Sequence, residues 1–128
     1  MKLAKLEKIV IAALEEIKGK DIEIINTVKQ TPLFERIIVA GGDSNRQVRS
    51  LAQNVREKAK AAGANIISIE GEENGEWVLV DLGDIIVHIM QPAIRNYYNL
   101  EELWRSKEPA RVRQASGASK ETNEQSSS

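Results

Sequence analysis

The chain has 128 residues and 41% hydrophobic content, which is enough for one small domain with a single core. Its 18 lysine and arginine residues nearly balance its 19 aspartate and glutamate residues, so the net charge of -1 lacks the basic excess of proteins that bind nucleic acid mainly through phosphates. The absence of cysteine excludes disulfides, thiolate catalysis and cysteine metal sites. No apolar run has the length of about 18 residues that a membrane span needs, and no leader pattern follows Met1, so we expect no membrane contact and a cytoplasmic location.

The first part of the chain predicts a helix followed by two strands. Apolar residues recur at helical spacing over residues 3–17, and Gly19 is a natural end for this helix. Residues 22–28 and 36–40 are rich in isoleucine and valine and predict strands. The segment between the strands contains Pro32 and is expected to be a loop.

The middle of the chain predicts a second helix and a short strand. Ser44 and Gln47 have the spacing of a capping box at the start of this helix, and Gly63 suits its C-terminal end. Residues 65–70 predict a strand, and residues 71–75 predict an acidic turn.

Residues 76–91 predict a β-hairpin that turns at Gly83 and Asp84. Because side chains alternate between the two faces of a sheet, one face of this hairpin is aliphatic and the other is mixed. The mixed face carries the chain's only histidine, one of its two tryptophans and one of its two methionines, a combination typical of the core of a protein–protein interface. The aliphatic face pairs Leu82 with Ile85, Val80 with Val87 and Val78 with Ile89, and the mixed face pairs Trp77 with Met90, Leu79 with His88 and Asp81 with Ile86.

The last predicted helix begins at Pro92, where a missing amide is harmless, and extends through Trp104. Residues 106–128 contain few hydrophobic side chains and predict a disordered polar tail, so we expect the folded domain to span residues 1–105. The order α-β-β-α-β-β-β-α predicts an α+β fold of one domain, with the helices on one face of a mixed five-stranded sheet. The opposite face of the sheet would then be polar, covered or used by a partner.

The loop at residues 41–46 lies at the end of a strand and before a helix, where free backbone amides can hold an anion. It has neither the lysine of the G-x-x-x-x-G-K-[ST] motif nor the glycine spacing of G-x-G-x-x-G. A turn with a helix cap is therefore favoured over a phosphate cradle.

The second helix has a basic surface. An ordinary solvated face is favoured for it, and a local contact with RNA or with an acidic protein surface is the alternative. The basic residues are Arg46, Arg49, Arg56, Lys58 and Lys60.

Asp81, Asp84 and His88 are candidates for a metal or proton-transfer site, because carboxylates and imidazole are the usual groups for both. In the predicted hairpin, however, His88 lies about 13 Å along the strand from Asp84, which is too far for the groups to converge. We therefore expect no catalytic residue, metal or cofactor here. For the apolar residues of the mixed face, two alternatives stay open: cover by a terminal helix, or a partner-binding surface.

Several motifs resemble those of the ribosomal silencing factors, also called the Iojap-related proteins. Residues 42–48 (GDSNRQV) resemble the family segment G-x-S-x-R-[QH]-V. Residues 77–90 (WVLVDLGDIIVHIM) resemble the family segment W-[IVL]-[VL]-[VL]-D-[LYF]-G-D-[IV]-[IV]-V-H-[IVL]-[MF]. Residues 18–22 (KGKDI), Glu70-Gly71 and residues 98–104 (YNLEELW) extend the similarity, which covers the chain from residue 3 to about residue 105.

The resemblance implies a non-enzymatic factor that binds the large ribosomal subunit through ribosomal protein fourteen. Such a factor blocks association of the small and large subunits and represses translation, and organelle relatives are linked to ribosome assembly. The resemblance also implies a nucleotidyltransferase-like fold, no cofactor, and a homodimer when the protein is free. Together with the mixed face of the hairpin, it selects as partner-binding residues Trp77, Leu79, Asp81, Asp84, His88, Met90, Gln91 and Tyr98.

Three departures from the family pattern lie close to these motifs, and one of them is Gly41, which replaces a common threonine or serine. Phe34-Glu35-Arg36 stands where relatives usually have a small hydroxyl residue followed by aspartate, and Pro92-Ala93 stands where acidic residues are usual. We expect local differences at the second strand and at the start of the last helix. Two other functions stay open: a large-subunit assembly factor, and a nucleotidyltransferase-like enzyme that uses the loop at residues 41–46 but has no D-x-D carboxylate pair.

Overall fold

The helices and strands follow the predicted order up to the last helix. The computed structural model describes residues 1–105, and the predicted tail at residues 106–128 lies outside them. The last predicted helix is divided in two, because Asn99 adopts a left-handed backbone (φ 47°), which asparagine tolerates better than most residues. Within the described residues, no helix is both long enough and apolar enough to cross a membrane. The elements are α1 (Leu3–Glu16), β1 (Lys20–Asn26), β2 (Arg36–Gly41), α2 (Asn45–Ala61), β3 (Ser68–Glu70), β4 (Trp77–Asp81), β5 (Ile85–Met90), α3 (Pro92–Tyr98) and α4 (Leu100–Arg105).

A mixed five-stranded sheet organises the fold. Its strand order is β1-β2-β5-β4-β3, with β2 and β5 parallel and every other neighbouring pair antiparallel. The predicted α+β fold with a mixed sheet is therefore confirmed. The register of the hairpin is confirmed as well, since Trp77 pairs with Met90 and Leu79 pairs with His88. β3 is shorter than the strand predicted over residues 65–70.

Helices α1 and α2 pack on one face of the sheet and form the main hydrophobic core. The predicted cap of α2 is confirmed, because the backbone amide of Gln47 donates to Ser44 Oγ over 3.1 Å. Gly63 follows the end of α2 with a φ of 95°, as the sequence predicted. The completely buried residues of this core include Val10, Leu14, Ile38, Val48, Leu51, Val55, Val78, Val80, Val87 and Ile89.

The expectation that all helices share one face of the sheet is wrong. Helices α3 and α4 lie across the opposite face, where Ile94, Leu100 and Trp104 pack on a second buried cluster. The physical reason is that the neighbouring strands β2 and β5 carry apolar residues at consecutive positions and therefore need cover on both faces. The second cluster consists of Ile25, Ile37, Val39 and Met90.

Strand β4 is covered less completely than β5. Its burial alternates, with Val78 and Val80 buried in the main core and Trp77, Leu79 and Asp81 half-buried on the opposite face. This alternation leaves a strip of the second face accessible beside α3. The accessible strip carries the β4 residues of the mixed face, Trp77, Leu79 and Asp81, whereas the β5 residues of that face are buried.

Val80→Asp is expected to unfold the domain, whereas Leu79→Asp is expected to leave it folded. Val80 is completely buried, so an aspartate there would be an unpaired buried charge that lowers the free energy of unfolding by at least about 3 kcal/mol. The same change one residue away, on the half-exposed side, should cost less than about 2 kcal/mol. Urea titrations followed by circular dichroism measure both values, and equal losses at the two positions would contradict the face assignment.

Candidate partner-binding site

Backbone hydrogen bonds and one side chain fix the turn of the hairpin. The amide of Leu82 donates to the carbonyl of Ile85 over 2.9 Å, and the amide of Gly83 donates to Asp81 Oδ1 over 2.9 Å. Gly83, with a φ of 90°, supplies the left-handed backbone that the turn requires. Asp81 therefore shapes the turn, while the side chain of Asp84 is exposed at its tip.

Trp77 is held between β5 and α3. Its indole Nε1–H donates to His88 Nδ1 over 3.0 Å, and the centres of these two rings are 5.9 Å apart. Tyr98 packs against the Trp77 ring with 4.9 Å between ring centres, and Tyr97 contacts Tyr98 at the same separation of 4.9 Å. The four rings form a continuous cluster that extends from the sheet to the surface of α3.

His88 is buried, with 8% of its surface exposed. Burial disfavours the charged imidazolium and lowers the pKa of His88 from 6.5 to about 4. The ring is therefore uncharged at neutral pH. Because Nδ1 accepts the indole hydrogen bond, the single proton of the imidazole belongs on Nε2.

Met90 and Gln91 support the hairpin from inside the fold. Met90 is completely buried beneath α3 and α4, so the expectation that it adds accessible surface is corrected: the terminal helices cover it. Gln91 Nε2 donates to Asn45 Oδ1 and, over 3.1 Å, to the carbonyl oxygen of Gly75. These bonds tie the end of β5 to the turn before Trp77 and to the start of α2.

Four of the predicted partner-binding residues share an accessible surface. Tyr98 is 51% exposed and lies against Trp77, while Leu79 and Asp81 follow Trp77 along the same side of β4. We call these four residues the hairpin patch. Sequence reasoning missed Tyr97, which is 80% exposed and extends the patch, although two consecutive tyrosines in a short amphipathic helix were an available signal.

The loop at residues 41–46 uses its polar groups inside the fold. The amide of Gly42 donates to the carbonyl of Met90 over 3.0 Å, and the amide of Asp43 donates to Gln47 Oε1 over 2.7 Å. A Cβ at Gly42 would lie 2.9 Å from a valine methyl group of α2, so the loop is tightly packed. The interpretation as a turn with a helix cap is confirmed. The described part of the chain contains no group of three side chains placed to hold a metal ion.

The basic residues of α2 have different surroundings. Arg49 Nη1 donates to the carbonyl oxygens of Glu72 (3.4 Å) and Glu73 (3.3 Å), which ties α2 to the acidic turn before β4. Lys58 Nζ lies 3.6 Å from Glu16 Oε1 on α1. Arg46, Arg56, Lys58 and Lys60 are all exposed on α2, and Lys58 differs from the other three in lying beside Glu16.

The fold and the hairpin patch together define a single-domain α+β protein that carries an aromatic surface on a rigid sheet. Residues 2–128 match the family model described as "Ribosomal silencing factor during starvation". The chain belongs to this family, as its motifs predicted.

Individual relatives agree with this assignment. The chain is 54% identical over 110 residues to the ribosomal silencing factor RsfS of Chromobacterium violaceum, covering 86% of this chain and 90% of that protein. It is 25% identical over 97 residues to the Mus musculus protein named "Mitochondrial assembly of ribosomal large subunit protein 1", covering 73% of this chain and 42% of that protein. It is also similar to a crystal structure of a Chromobacterium violaceum protein, with a TM-score of 0.80 and 57% identity over 81% of this chain and 87% of the other.

Acidification is expected to destabilise the protein through His88. The folded-state pKa of about 4 lies below the ordinary value of 6.5, so this contribution to stability is complete above pH 6.5 and is lost as pH falls toward about 4. Lowering the pH from 6.5 to below about 4 should reduce the free energy of unfolding by about 3 kcal/mol through this residue. Urea titrations across this pH window should show a flatter profile for His88→Gln, and parallel profiles for parent and variant would contradict the assignment.

Proposed function

We propose that the protein binds the large ribosomal subunit through ribosomal protein fourteen and keeps the small subunit from joining, which represses translation. We also infer that it acts in the cytoplasm without catalysing a reaction, and that it is a homodimer when free. Membership in the ribosomal silencing factor family supports a ribosomal partner. The likeness of its motifs to those of the family supports the finer assignment to ribosomal protein fourteen.

The hairpin patch is the observation that carries this proposal. An aromatic ring held on a rigid strand can bury apolar surface on binding with little loss of conformational freedom, which is why tryptophan and tyrosine dominate interface hot spots. Trp77 is such a ring on β4, and Tyr98 of α3 packs against it. Leu79 adds aliphatic surface next to them. Asp81 and Asp84 supply a polar rim at the turn.

The other predicted contact residues act behind the patch in this proposal. Met90 packs beneath α3 and α4, and Gln91 holds the turn before Trp77 through its bond to Gly75. Arg56 and Lys60 are exposed on α2 and are the candidates for a local contact with ribosomal RNA.

Assembly of the large subunit is the second candidate function, and the name of the mouse relative favours it. Both functions require binding to the large subunit. An assembly factor must bind precursor subunits, whereas a silencing factor must bind mature ones. Sedimentation with mature and with precursor subunits separates them. A nucleotidyltransferase-like enzyme has less support, since the amides of Gly42 and Asp43 are already bonded within the fold.

Trp77→Ala is expected to fold and to weaken binding to the large subunit by at least about thirtyfold, which corresponds to about 2 kcal/mol. The reason is that the variant removes the largest ring of the hairpin patch. Co-sedimentation with purified large subunits at fixed salt measures affinity, and light scattering of mixed subunits measures joining.

Arg56→Ala is the control for the Trp77 experiment, because it removes an exposed charge from α2 and leaves the hairpin intact. We expect this variant to keep most of its affinity, with a weaker salt dependence if it contacts RNA. If Trp77→Ala still bound and blocked joining like the parent while Arg56→Ala failed, the hairpin patch would not be the ribosome-facing surface.

Truncation after Arg105 is expected to leave affinity for the large subunit within about tenfold of the full chain. We propose that the domain of residues 1–105 carries the partner surface, because residues 106–128 are poor in apolar side chains. Co-sedimentation of both forms decides this, and a larger loss would place part of the interface in the tail.

A further inference from the structure

The hydrogen bond between Trp77 and His88 joins an accessible ring to a buried one. The two residues are diagonal neighbours on adjacent antiparallel strands, because Trp77 pairs directly with Met90 and His88 pairs directly with Leu79. The indole Nε1–H lies 3.0 Å from His88 Nδ1. His88 is only 8% exposed, so its ring has little surface to offer a partner directly.

The Trp77 ring is restrained on two sides. His88 holds its N–H from the β5 side, and Tyr98 packs on it from α3 with 4.9 Å between ring centres. An indole can donate but cannot accept a hydrogen bond, so an acceptor at this position selects one orientation of the ring. Fixing an otherwise mobile side chain during association costs conformational entropy and therefore weakens binding. A ring that is already fixed avoids this cost.

We propose that His88 is a positioning residue, which fixes the orientation of the Trp77 indole through Nδ1 before the partner binds and does not itself touch the partner. This inference rests on the proposed function, in which Trp77 is a contact residue. It changes the role of His88 from a contact to a support. The imidazole then matters for its acceptor nitrogen and not for its charge.

The ring nitrogens of the parent protein provide a test that needs no substitution. His88 is the only histidine of the chain, so its nitrogen-15 resonances can be assigned without ambiguity. At neutral pH we expect a protonated Nε2 and an unprotonated, hydrogen-bonded Nδ1. A proton on Nδ1 would overturn the proposal, because that nitrogen could not then accept from the indole.

Two variants test whether the acceptor affects binding. His88→Phe keeps a flat ring of similar size and removes the acceptor, whereas His88→Gln keeps an acceptor oxygen without the imidazole. We expect His88→Phe to lose about tenfold in affinity for the large subunit, and His88→Gln to stay within about threefold of the parent. Comparison with Trp77→Phe identifies the resonance of the Trp77 indole proton. Exchange of this proton with solvent should be about tenfold faster in His88→Phe than in the parent, and unchanged in His88→Gln.

The outcomes separate this inference from the proposed function. Loss of binding in Trp77→Ala together with parental binding in His88→Phe would overturn the positioning role and leave the hairpin patch intact. Equal losses in His88→Phe and His88→Gln would also overturn it, because the imidazole itself would then be required. Parental binding by Trp77→Ala would overturn the proposed patch and the positioning role together.

Discussion

The parallel pairing of β2 with β5 is the constraint on which the rest of this structure depends. Parallel neighbours cannot be joined by a tight turn, and here the chain crosses from β2 to β5 through α2 and the antiparallel strands β3 and β4. The pair presents apolar side chains to both faces of the sheet, with Ile38 beside Val87 on one face and Ile37 beside Ile86 on the other. Both faces must therefore be covered by helices.

The helices that cover the two faces of the sheet differ in length, and this difference determines which surface stays accessible. Helices α1 and α2 have 14 and 17 residues and bury the main core, whereas α3 and α4 have 7 and 6 residues. Helices this short are not stable alone in water, so α3 and α4 depend on packing against the second cluster. Arg95 ties them down, with Nη2 2.7 Å from Glu101 Oε2 and Nη1 3.2 Å from the carbonyl of Lys20. Helices α3 and α4 leave the second face of β4 half-exposed, and Tyr98 at the end of α3 packs against Trp77 there.

The sequence predicted the hairpin in detail because its signals are local. The turn at Gly83 and the strict alternation of side chains determine the register, and a shift of one residue would move aliphatic residues out of the core. The cap of α2 is predictable for the same reason. The family motifs also pointed to the residues of the hairpin patch.

The positions of α3 and α4 were not predictable from the sequence. An apolar stripe that follows Pro92 shows that a helix is amphipathic, but it does not say which face of the sheet that helix covers. The burial of Met90 follows from this choice of face, and so does the accessibility of Tyr98. The bond from Trp77 to His88 is diagonal across two strands and depends on side-chain rotamers that a sequence pattern does not specify.

The central claim is that the hairpin patch is the surface that faces the large ribosomal subunit. Amide hydrogen exchange of the protein, compared with and without saturating large subunits, tests it most directly. We expect new protection in β4 over Trp77–Asp81 and in α3 around Tyr97 and Tyr98, with the amides of α2 unchanged. Protection confined to α2, with β4 and α3 exchanging as in the free protein, would contradict the claim.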